Sequence, residues 1–247
     1  MTQQNQWLFV SDVNDTLLGD EIALGQLAQT LQNRPNLIIA FNSSRSCASL
    51  RQTLATHALP IPDYLIGALG TEIQTGTSGE PVGWYSRLLY RACLDHGRPV
   101  WNRNRIAALM DALGLTAHTP EYQTPFKVSY DVPNPARLIQ IFDRLAAAGQ
   151  EAKVIYSSGK NLDIIPYVAG KGSAIACLGH RLGISPEQVV VAGYSGNDLE
   201  MFVAPYKGIV VANATPELKR RQGAHIYHTQ ATHAAGVLEG LYFWGVI

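Results

Sequence analysis

Apolar and polar residues alternate in blocks along the first 73 residues, and this pattern predicts strands that alternate with helices. Three short apolar runs, each ending in polar residues, are typical of buried parallel strands; they cover residues 7–10, 37–41 and 64–69. Leucines at helical spacing predict a helix over residues 20–33, and Ser46 is placed to cap a second one that carries Leu50 and Leu54. This order predicts an α/β fold with a doubly wound parallel sheet.

The pattern changes after residue 75 and returns near residue 168. Residues 75–83 are rich in Gly, Thr, Ser and Pro, which predicts a linker. Predicted helices and strands then follow in mixed order, at about 85–94, 101–113, 126–130, 138–145, 152–157 and 162–165. The alternating pattern resumes with a helix over 171–182 and strands over 188–192 and 208–212. We therefore predict a core domain of residues 1–78 and 168–247, with a smaller α+β domain of residues 79–167 inserted into it.

Composition and charge exclude several classes of protein. The chain carries 19 basic and 19 acidic side chains, a balance that argues against a nucleic-acid-binding protein. No apolar run approaches the roughly 20 residues of a membrane span. Three cysteines are scattered without disulfide or metal spacing, and residues 1–6 lack the features of a signal peptide. We expect a cytoplasmic protein.

Polar residues follow the first predicted strands at the point where each strand ends. Asp12 comes directly after the first strand, and residues 42–46 follow the second. In open α/β sheets, ligands bind in the crevice at the carboxyl ends of the strands. Asp12 is therefore expected to face a crevice, although an ordinary turn after the strand would explain the same pattern.

Six sequence blocks resemble those of a known family. They are SDVNDTLLGD (11–20), PDYLIGALGTEI (62–73), SSGKNLDIIP (157–166), KGSA (171–174), SGND (195–198) and NATPEL (213–218). In this order they resemble phosphatases of the haloacid dehalogenase (HAD) superfamily with a C2-type cap, and more narrowly the sucrose-phosphate phosphatases. The resemblance covers nearly the whole chain. It implies a HAD-like, Rossmann-like core with residues 79–167 as the cap.

The resemblance also implies roles for individual residues. The first motif of the family is Asp-x-Asp-x-Thr, in which the first Asp attacks phosphorus and the second protonates the leaving oxygen. Asp12 matches the nucleophile and Thr16 the threonine of this motif. Lys171 matches the lysine that binds the phosphoryl oxygens, and Ser43 and Arg45 match the phosphate-binding Thr-Gly-Arg motif after the second strand. Ser44, which we also assign to this site, stands where that motif has Gly, a mild departure from the family pattern. Mg²⁺ is the expected cofactor if the site is competent to hold it.

Two positions depart from the family pattern. Asn14 stands where the family has its acid/base Asp, and Tyr194 stands where the last motif has a metal-binding Asp. The implied metal set is therefore Asp12, the backbone carbonyl of Asn14, Tyr194 and Asp198, in which the phenol is a poor ligand for a hard cation. Asp15 is adjacent to Asn14, but in an extended segment neighbouring side chains point to opposite sides, so we expect Asp15 not to reach the leaving oxygen.

The family resemblance implies a sugar pocket in the cap, formed by Lys127, Lys160 and Asp163 together with Glu72. Alternative interpretations remain open for three of these residues. Lys160 follows a Ser-Gly turn, so it is equally consistent with an exposed loop lysine that has no role in binding. Lys127 shares one face of its predicted strand with Ser129, which is explained equally by a solvated sheet face. Glu72 is equally consistent with a structural role, in which its side chain caps the connection that leads into the cap domain.

Three hypotheses about function follow. We favour a pseudophosphatase that binds a sugar, a sugar phosphate or a partner protein with little or no turnover, because the loss of a general acid costs roughly 10²–10⁴ in rate. The second is an active Mg²⁺-dependent sucrose-6F-phosphate phosphohydrolase that uses Asp12 as nucleophile. The third is a scaffold in a protein complex, which no feature of the sequence specifically supports.

Overall fold

The computed structural model describes residues 6–32, 34–95 and 98–247. Most of the N-terminal segment used to predict the compartment, and residue 33 at the predicted end of the first helix, lie outside these ranges. Within them, no helix combines the length and the apolar character that a membrane crossing needs.

The described chain contains two main sheets and a set of helices that cover them. The strands are β1 (Trp7–Ser11), β2 (Leu37–Asn42), β3 (Tyr64–Gly67), β4 (Glu72–Thr75), β5 (Leu94–Asp95), β6 (Arg98–Pro99), β7 (Thr116–Ala117), β8 (Val128–Asp131), β9 (Ala152–Ser157), β10 (Asn161–Pro166), β11 (Val189–Gly193), β12 (Lys207–Val210) and β13 (Ile226–His228). The α-helices are α1 (Glu21–Leu31), α2 (Cys47–Thr56), α3 (Gly83–Ala92), α4 (Arg103–Ala112), α5 (Arg137–Ala147), α6 (Lys171–Leu182), α7 (Pro216–Lys219) and α8 (His233–Phe243).

The core is a seven-stranded sheet in the order β13-β12-β11-β1-β2-β3-β4. All neighbouring pairs are parallel except β3 and β4. β1 lies in the middle, where Val10 is in register with Val191 on one side and Ala40 on the other. These three side chains are completely buried, which is typical of a parallel sheet covered on both faces. The predicted doubly wound α/β fold is confirmed.

The prediction was wrong at the two edges of this sheet. β4 was not predicted: the predicted strand ended at residue 69 and the predicted linker began at residue 75, so most of β4 lies between the two. The segment that connects β4 to α3 is residues 76–82. The short strand β13 at the opposite edge was missed as well. Both segments are short and partly exposed, so neither has the continuous apolar run that marks a buried strand.

The cap is a separate four-stranded sheet in the order β7-β8-β10-β9, in which all pairs are antiparallel. Its own apolar core includes Ile106, Val128, Ile141 and Ile164, each completely buried. Strands of the core sheet precede the cap in the sequence (β1 to β4) and follow it (β11 to β13). The cap is therefore inserted into the core domain between β4 and α6. The predicted insertion of an α+β cap is confirmed, whereas the boundaries at residues 79 and 167 stay predictions.

Candidate functional site

A polar cavity of about 490 Å³ lies between the core and the cap. On the core side it is lined by residues that follow the carboxyl ends of β1, β2 and β11, namely Asp12, Asn14, Asp15, Ser43, Ser44, Arg45, Tyr194, Ser195 and Asn197. The cap contributes Ala117, His118, Thr119, Tyr122, Asp131, Ser158, Lys160 and Asn161. The volume falls within the range of small-molecule sites, and the cavity lies where α/β sheets bind their ligands.

Asp12 follows the last residue of β1, and its backbone N–H donates to the carbonyl of Ala192 at 3.0 Å. Its carboxylate accepts from the Lys171 ammonium at 2.7 Å and from the Thr16 hydroxyl at 3.1 Å. Burial raises the pKa of Asp12 to about 6, against the lowering effect of Lys171 and with a further raising effect from Asp198. The predicted nucleophile is therefore a buried, oriented carboxyl group at the cavity wall.

Lys171 is the first residue of α6, and it follows Gly170, whose φ of 146° is accessible mainly to glycine. The ammonium is completely buried and lies 2.7 Å from Asp12 and 2.6 Å from Asp198. Burial lowers the pKa of Lys171, but the two carboxylates outweigh burial and raise it above its ordinary value. The predicted phosphate-binding lysine thus bridges two carboxylates behind the cavity wall.

Asp198 is completely buried and does not line the cavity. One of its oxygens accepts from Lys171, and the other accepts from the backbone N–H groups of Tyr194 and Ser195, both at 2.9 Å. These contacts hold the loop after β11 in place. Next to this loop, the side-chain oxygen of Asn197 is buried and has no hydrogen-bond partner within the described ranges.

The segment after Asp12 differs from the expectation in one important respect. Residues 14–19 form turns, and Asp15 adopts a left-handed conformation with φ of 57°. The assumption of an extended segment was wrong, and Asp15 lines the cavity beside Asn14 and Asp12. Tyr194 lines the same wall, and burial, followed by the charges of Asp15, Glu217 and Asp12, raises the pKa of its phenol. Tyr194 is therefore neutral at neutral pH.

The segment predicted to bind phosphoryl oxygens lies on the core wall. Ser43, Ser44 and Arg45 all line the cavity. The backbone N–H of Ser43 donates to Ile66 at 2.9 Å, and the N–H of Arg45 donates to the Ser43 hydroxyl at 3.2 Å. The Arg45 guanidinium donates to the Thr53 hydroxyl at 3.5 Å. The segment brings a hydroxyl-bearing residue and a guanidinium-bearing residue to the cavity wall that also carries Asp12, which suits binding of an anion.

Of the four residues assigned to the sugar pocket, the structure places Lys160 on the cavity wall. Glu72 instead accepts from the backbone N–H of Cys47, the first residue of α2, at 2.8 Å. Lys127 is completely buried, and its ammonium contacts Asp163 at 3.1 Å. Asp163 also accepts from the Ser129 hydroxyl at 2.6 Å. These three residues do not belong to the cavity lining.

The sequence reasoning missed the polar residues that the cap strands bring to the cavity. His118 directly follows β7, Asp131 ends β8, and Tyr122 lies in the connection between the two strands. Asp131 directly follows the strand predicted over residues 126–130. β7 was not predicted, so nothing in the sequence pattern placed His118 beside Asp131. Recognition of a short strand that pairs with β8 would have placed His118 near Asp131. That pairing is evident only in the folded cap.

The donor set fits Mg²⁺ poorly. Mg²⁺ prefers oxygen ligands at near-octahedral positions. Both oxygens of Asp198 are engaged by the protein, and Tyr194 supplies a neutral phenol where the family resemblance implies a carboxylate. Within the part of the chain that the structure describes, no group of three or more His, Cys, Asp or Glu side chains lies close enough together to hold a metal ion.

Comparison with known proteins points to one family. A family model described as sucrose-6F-phosphate phosphohydrolase matches residues 5–245. Mannosylfructose-phosphate phosphatase from Agrobacterium fabrum is 33% identical over 97% of this chain and 97% of its own length. Sucrose-phosphatase 1 from Nicotiana tabacum is 33% identical over 84% of this chain, which spans half of the tobacco protein.

The fold of the described chain is also found among solved structures. The sucrose-phosphatase of Synechocystis sp. PCC6803, solved in complex with sucrose and phosphate, superimposes with a TM-score of 0.87 and 31% identity. The match covers 98% of this chain and 99% of that one. A HAD subclass IIB sugar phosphatase, BT4131, shares the fold with a TM-score of 0.71 at 12% identity.

Proposed function

Because the chain belongs to the sucrose-6F-phosphate phosphohydrolase family, we propose that it binds a disaccharide phosphate between core and cap and hydrolyses it slowly or not at all. Two relatives support this class of ligand. One is named a sucrose-phosphatase and the other a mannosylfructose-phosphate phosphatase, and both names specify a phosphorylated disaccharide that contains fructose. The polar cavity, with a guanidinium on the core wall and an ammonium on the cap wall, suits such a ligand.

The observation that carries the proposal is that Asn14 and Tyr194 line the cavity on the same wall as Asp12. An amide at position 14 cannot protonate a sugar alkoxide as a carboxylic acid does, so the leaving group stays poor. A neutral phenol at position 194 removes an anionic ligand from the metal position and leaves the repulsion between phosphate and Asp12 uncompensated. Of the residues assigned to binding, Ser43, Ser44, Arg45 and Lys160 remain on the cavity walls.

Binding is expected to survive the loss of turnover. Ser43 and Arg45 are available on the core wall for a phosphate group, and Lys160 is available on the cap wall for sugar hydroxyls. Replacement of an acidic residue by Asn14 also removes one negative charge from a site for a dianion, which favours binding of the ground state.

An active phosphatase is the second candidate, and one observation favours it. The left-handed turn at Asp15 brings a second carboxyl group to the cavity wall beside Asp12. In this alternative Asp12 is the nucleophile, Asp15 supplies the proton to the leaving oxygen, and Mg²⁺ is required.

The test is phosphate release from sucrose 6F-phosphate at saturating MgCl₂, with isothermal titration of the same ligand. We compare the wild type with Asn14→Asp, Tyr194→Asp and the double variant, and Asp12→Asn in the double background is the control. The proposal expects a wild type that binds the ligand with little or no turnover, and a double variant that releases phosphate roughly 10²-fold faster or more. Activity of the double variant should disappear when Asp12 is replaced.

Two outcomes contradict the proposal. Turnover of the wild type at an ordinary phosphatase rate supports the second candidate, and loss of that turnover in Asp15→Asn would identify the proton donor. Absence of binding by the wild type to any sugar phosphate leaves a partner-protein role as the alternative.

We place the protein in the cytoplasm, a reducing compartment, because Cys47, Cys93 and Cys177 are free thiols.

A further inference from the structure

We propose that the core wall of the cavity binds a phosphate group directly, without a metal ion, and that Tyr194 and Asn14 donate hydrogen bonds to it. The inference rests on the proposed function, because it concerns how the phosphate of the same ligand is held. A wall that fits Mg²⁺ poorly needs other groups to hold an anion, and the described residues of this wall supply them.

The carboxylates of the implied metal set already have donors within the protein. Asp12 accepts from the Lys171 ammonium with one oxygen and from the Thr16 hydroxyl with the other. Asp198 accepts from Lys171 and from two backbone N–H groups of the loop after β11. A cation at this wall would have to compete with these donors for both carboxylates. The contacts therefore favour a ligand that is itself an acceptor.

Several side chains at this wall are free to donate. Asn14 and Tyr194 line the cavity, and within the described ranges neither the amide of Asn14 nor the hydroxyl of Tyr194 forms a hydrogen bond. A side-chain amide carries two N–H donors, and a phenol carries one O–H donor that it keeps at neutral pH. Ser43 and Arg45 line the same wall with a hydroxyl and a guanidinium. A phosphate at this wall can thus accept from four side chains.

The charge at this wall also suits an anion in the absence of a divalent cation. Asn14 and Tyr194 are neutral where the family pattern has carboxylates, so two fewer negative charges face the phosphate. That reduction is equal to the charge of one Mg²⁺ ion, so the wall keeps the net charge that two carboxylates and the ion would give it together. In addition, the Lys171 ammonium at 2.7 Å offsets part of the charge of Asp12.

Direct donors and a metal ion differ in what they do to the bound phosphate. Hydrogen bonds to an ionised acceptor are roughly twice as strong as bonds between neutral groups, so an amide and a phenol contribute affinity. A divalent ion additionally stabilises the charge that develops in the transition state of phosphoryl transfer, which neutral donors do much less. Metal-free binding through Asn14 and Tyr194 therefore agrees with a protein that holds its ligand and turns it over slowly or not at all.

The experiment measures the affinities of sucrose 6F-phosphate, inorganic phosphate and sucrose by isothermal titration, once in EDTA and once in MgCl₂. The variants are Tyr194→Phe, which removes only the hydroxyl, and Asn14→Leu, which keeps a side chain of similar size without donors. Tyr242→Phe, at an exposed position of α8, is the matched control. Thermal unfolding of each variant shows that the fold is retained.

The affinity of the wild type for sucrose 6F-phosphate should agree within about twofold between the two buffers. In EDTA, Tyr194→Phe and Asn14→Leu should each weaken binding of both phosphate ligands about tenfold or more, because each loses a hydrogen bond to a charged group. Their affinity for sucrose should not change, because sucrose carries no phosphate. Tyr242→Phe should bind all three ligands as the wild type does.

Binding of the phosphate ligands by the wild type only in MgCl₂ would overturn the inference, and so would unchanged phosphate affinity in either variant. Equal weakening of all three ligands would show a merely structural role and overturn it as well. If the wild type binds sucrose 6F-phosphate in neither buffer, the proposed function itself fails. That result is distinct from the others, because binding of inorganic phosphate in EDTA still tests the metal-free site.

Discussion

The ammonium of Lys127, in the cap, lies 2.9 Å from the backbone carbonyl oxygen of Ser44, in the core. The same ammonium donates to the carbonyl of Tyr122 and contacts the carboxylate of Asp163, each at 3.1 Å. It is completely buried, so these three oxygens replace its hydration shell. The cap is thereby joined to the segment of the core that carries the predicted phosphate-binding residues.

Replacement of Lys127 by Met should destabilise the protein by about 3–5 kcal/mol, because it leaves the buried carboxylate of Asp163 without its cation. The measurement is the free energy of unfolding in urea. The double variant Lys127→Met with Asp163→Asn should regain most of the loss, since the amide keeps an acceptor for Ser129 and removes the unpaired charge. A double variant as unstable as Lys127→Met would contradict this account of Lys127.

The sequence predicted the face on which Lys127 lies but not what covers that face. Strand alternation placed Lys127 and Ser129 together, and both contact Asp163 in the structure. Whether that face meets water or protein depends on Ser44, which is 83 residues away in the chain. Strand periodicity is a local property, whereas burial of a polar face depends on how the cap sits on the core.

The first strands of the core and the polar turns that follow them were predictable because short stretches of sequence indicate them. Buried runs and the polar residues that follow them identified β1 and β2 and placed Asp12 and Ser43 at the cavity. The position of Asp15 was not predicted, although Asn-Asp is a sequence that tolerates turns and left-handed conformations. The prediction assumed an extended chain at this position, so the turn preference of Asn-Asp was not taken into account.

Replacement of Lys171 by Met should also cost about 3–5 kcal/mol of stability, because Asp12 and Asp198 would then lie buried and close together without their shared cation. The control is Lys160→Met, which removes an exposed ammonium from the cavity wall and should change the free energy of unfolding by no more than about 0.5 kcal/mol. Urea unfolding of both variants measures the difference. Equal stability of Lys171→Met and the wild type would show that the buried pairs are energetically neutral.

Replacement of Glu72 by Ala should lower stability by about 0.5–2 kcal/mol, because its carboxylate accepts from the first N–H of α2 and complements the helix dipole. Binding of sucrose 6F-phosphate should not change, since Glu72 does not line the cavity. Thermal unfolding and ligand titration on the same preparation separate the two effects. A loss of sugar phosphate affinity of tenfold or more, with stability unchanged, would instead restore Glu72 to the sugar pocket.

Replacement of Tyr194 by Asp should strengthen Mg²⁺ binding relative to the wild type. Tyr194 and Asp12 line the same wall, so a carboxylate at position 194 adds an anionic oxygen close to the buried carboxyl group. An ion that binds the folded state alone raises its stability, and the effect grows with concentration. The melting temperature of Tyr194→Asp should therefore rise with added MgCl₂, while that of the wild type stays nearly constant.

Tyr194→Asn, which opens similar space without the charge, should behave as the wild type does. A response of Tyr194→Asn equal to that of Tyr194→Asp would mean that removal of the ring, and not the added carboxylate, admits the ion.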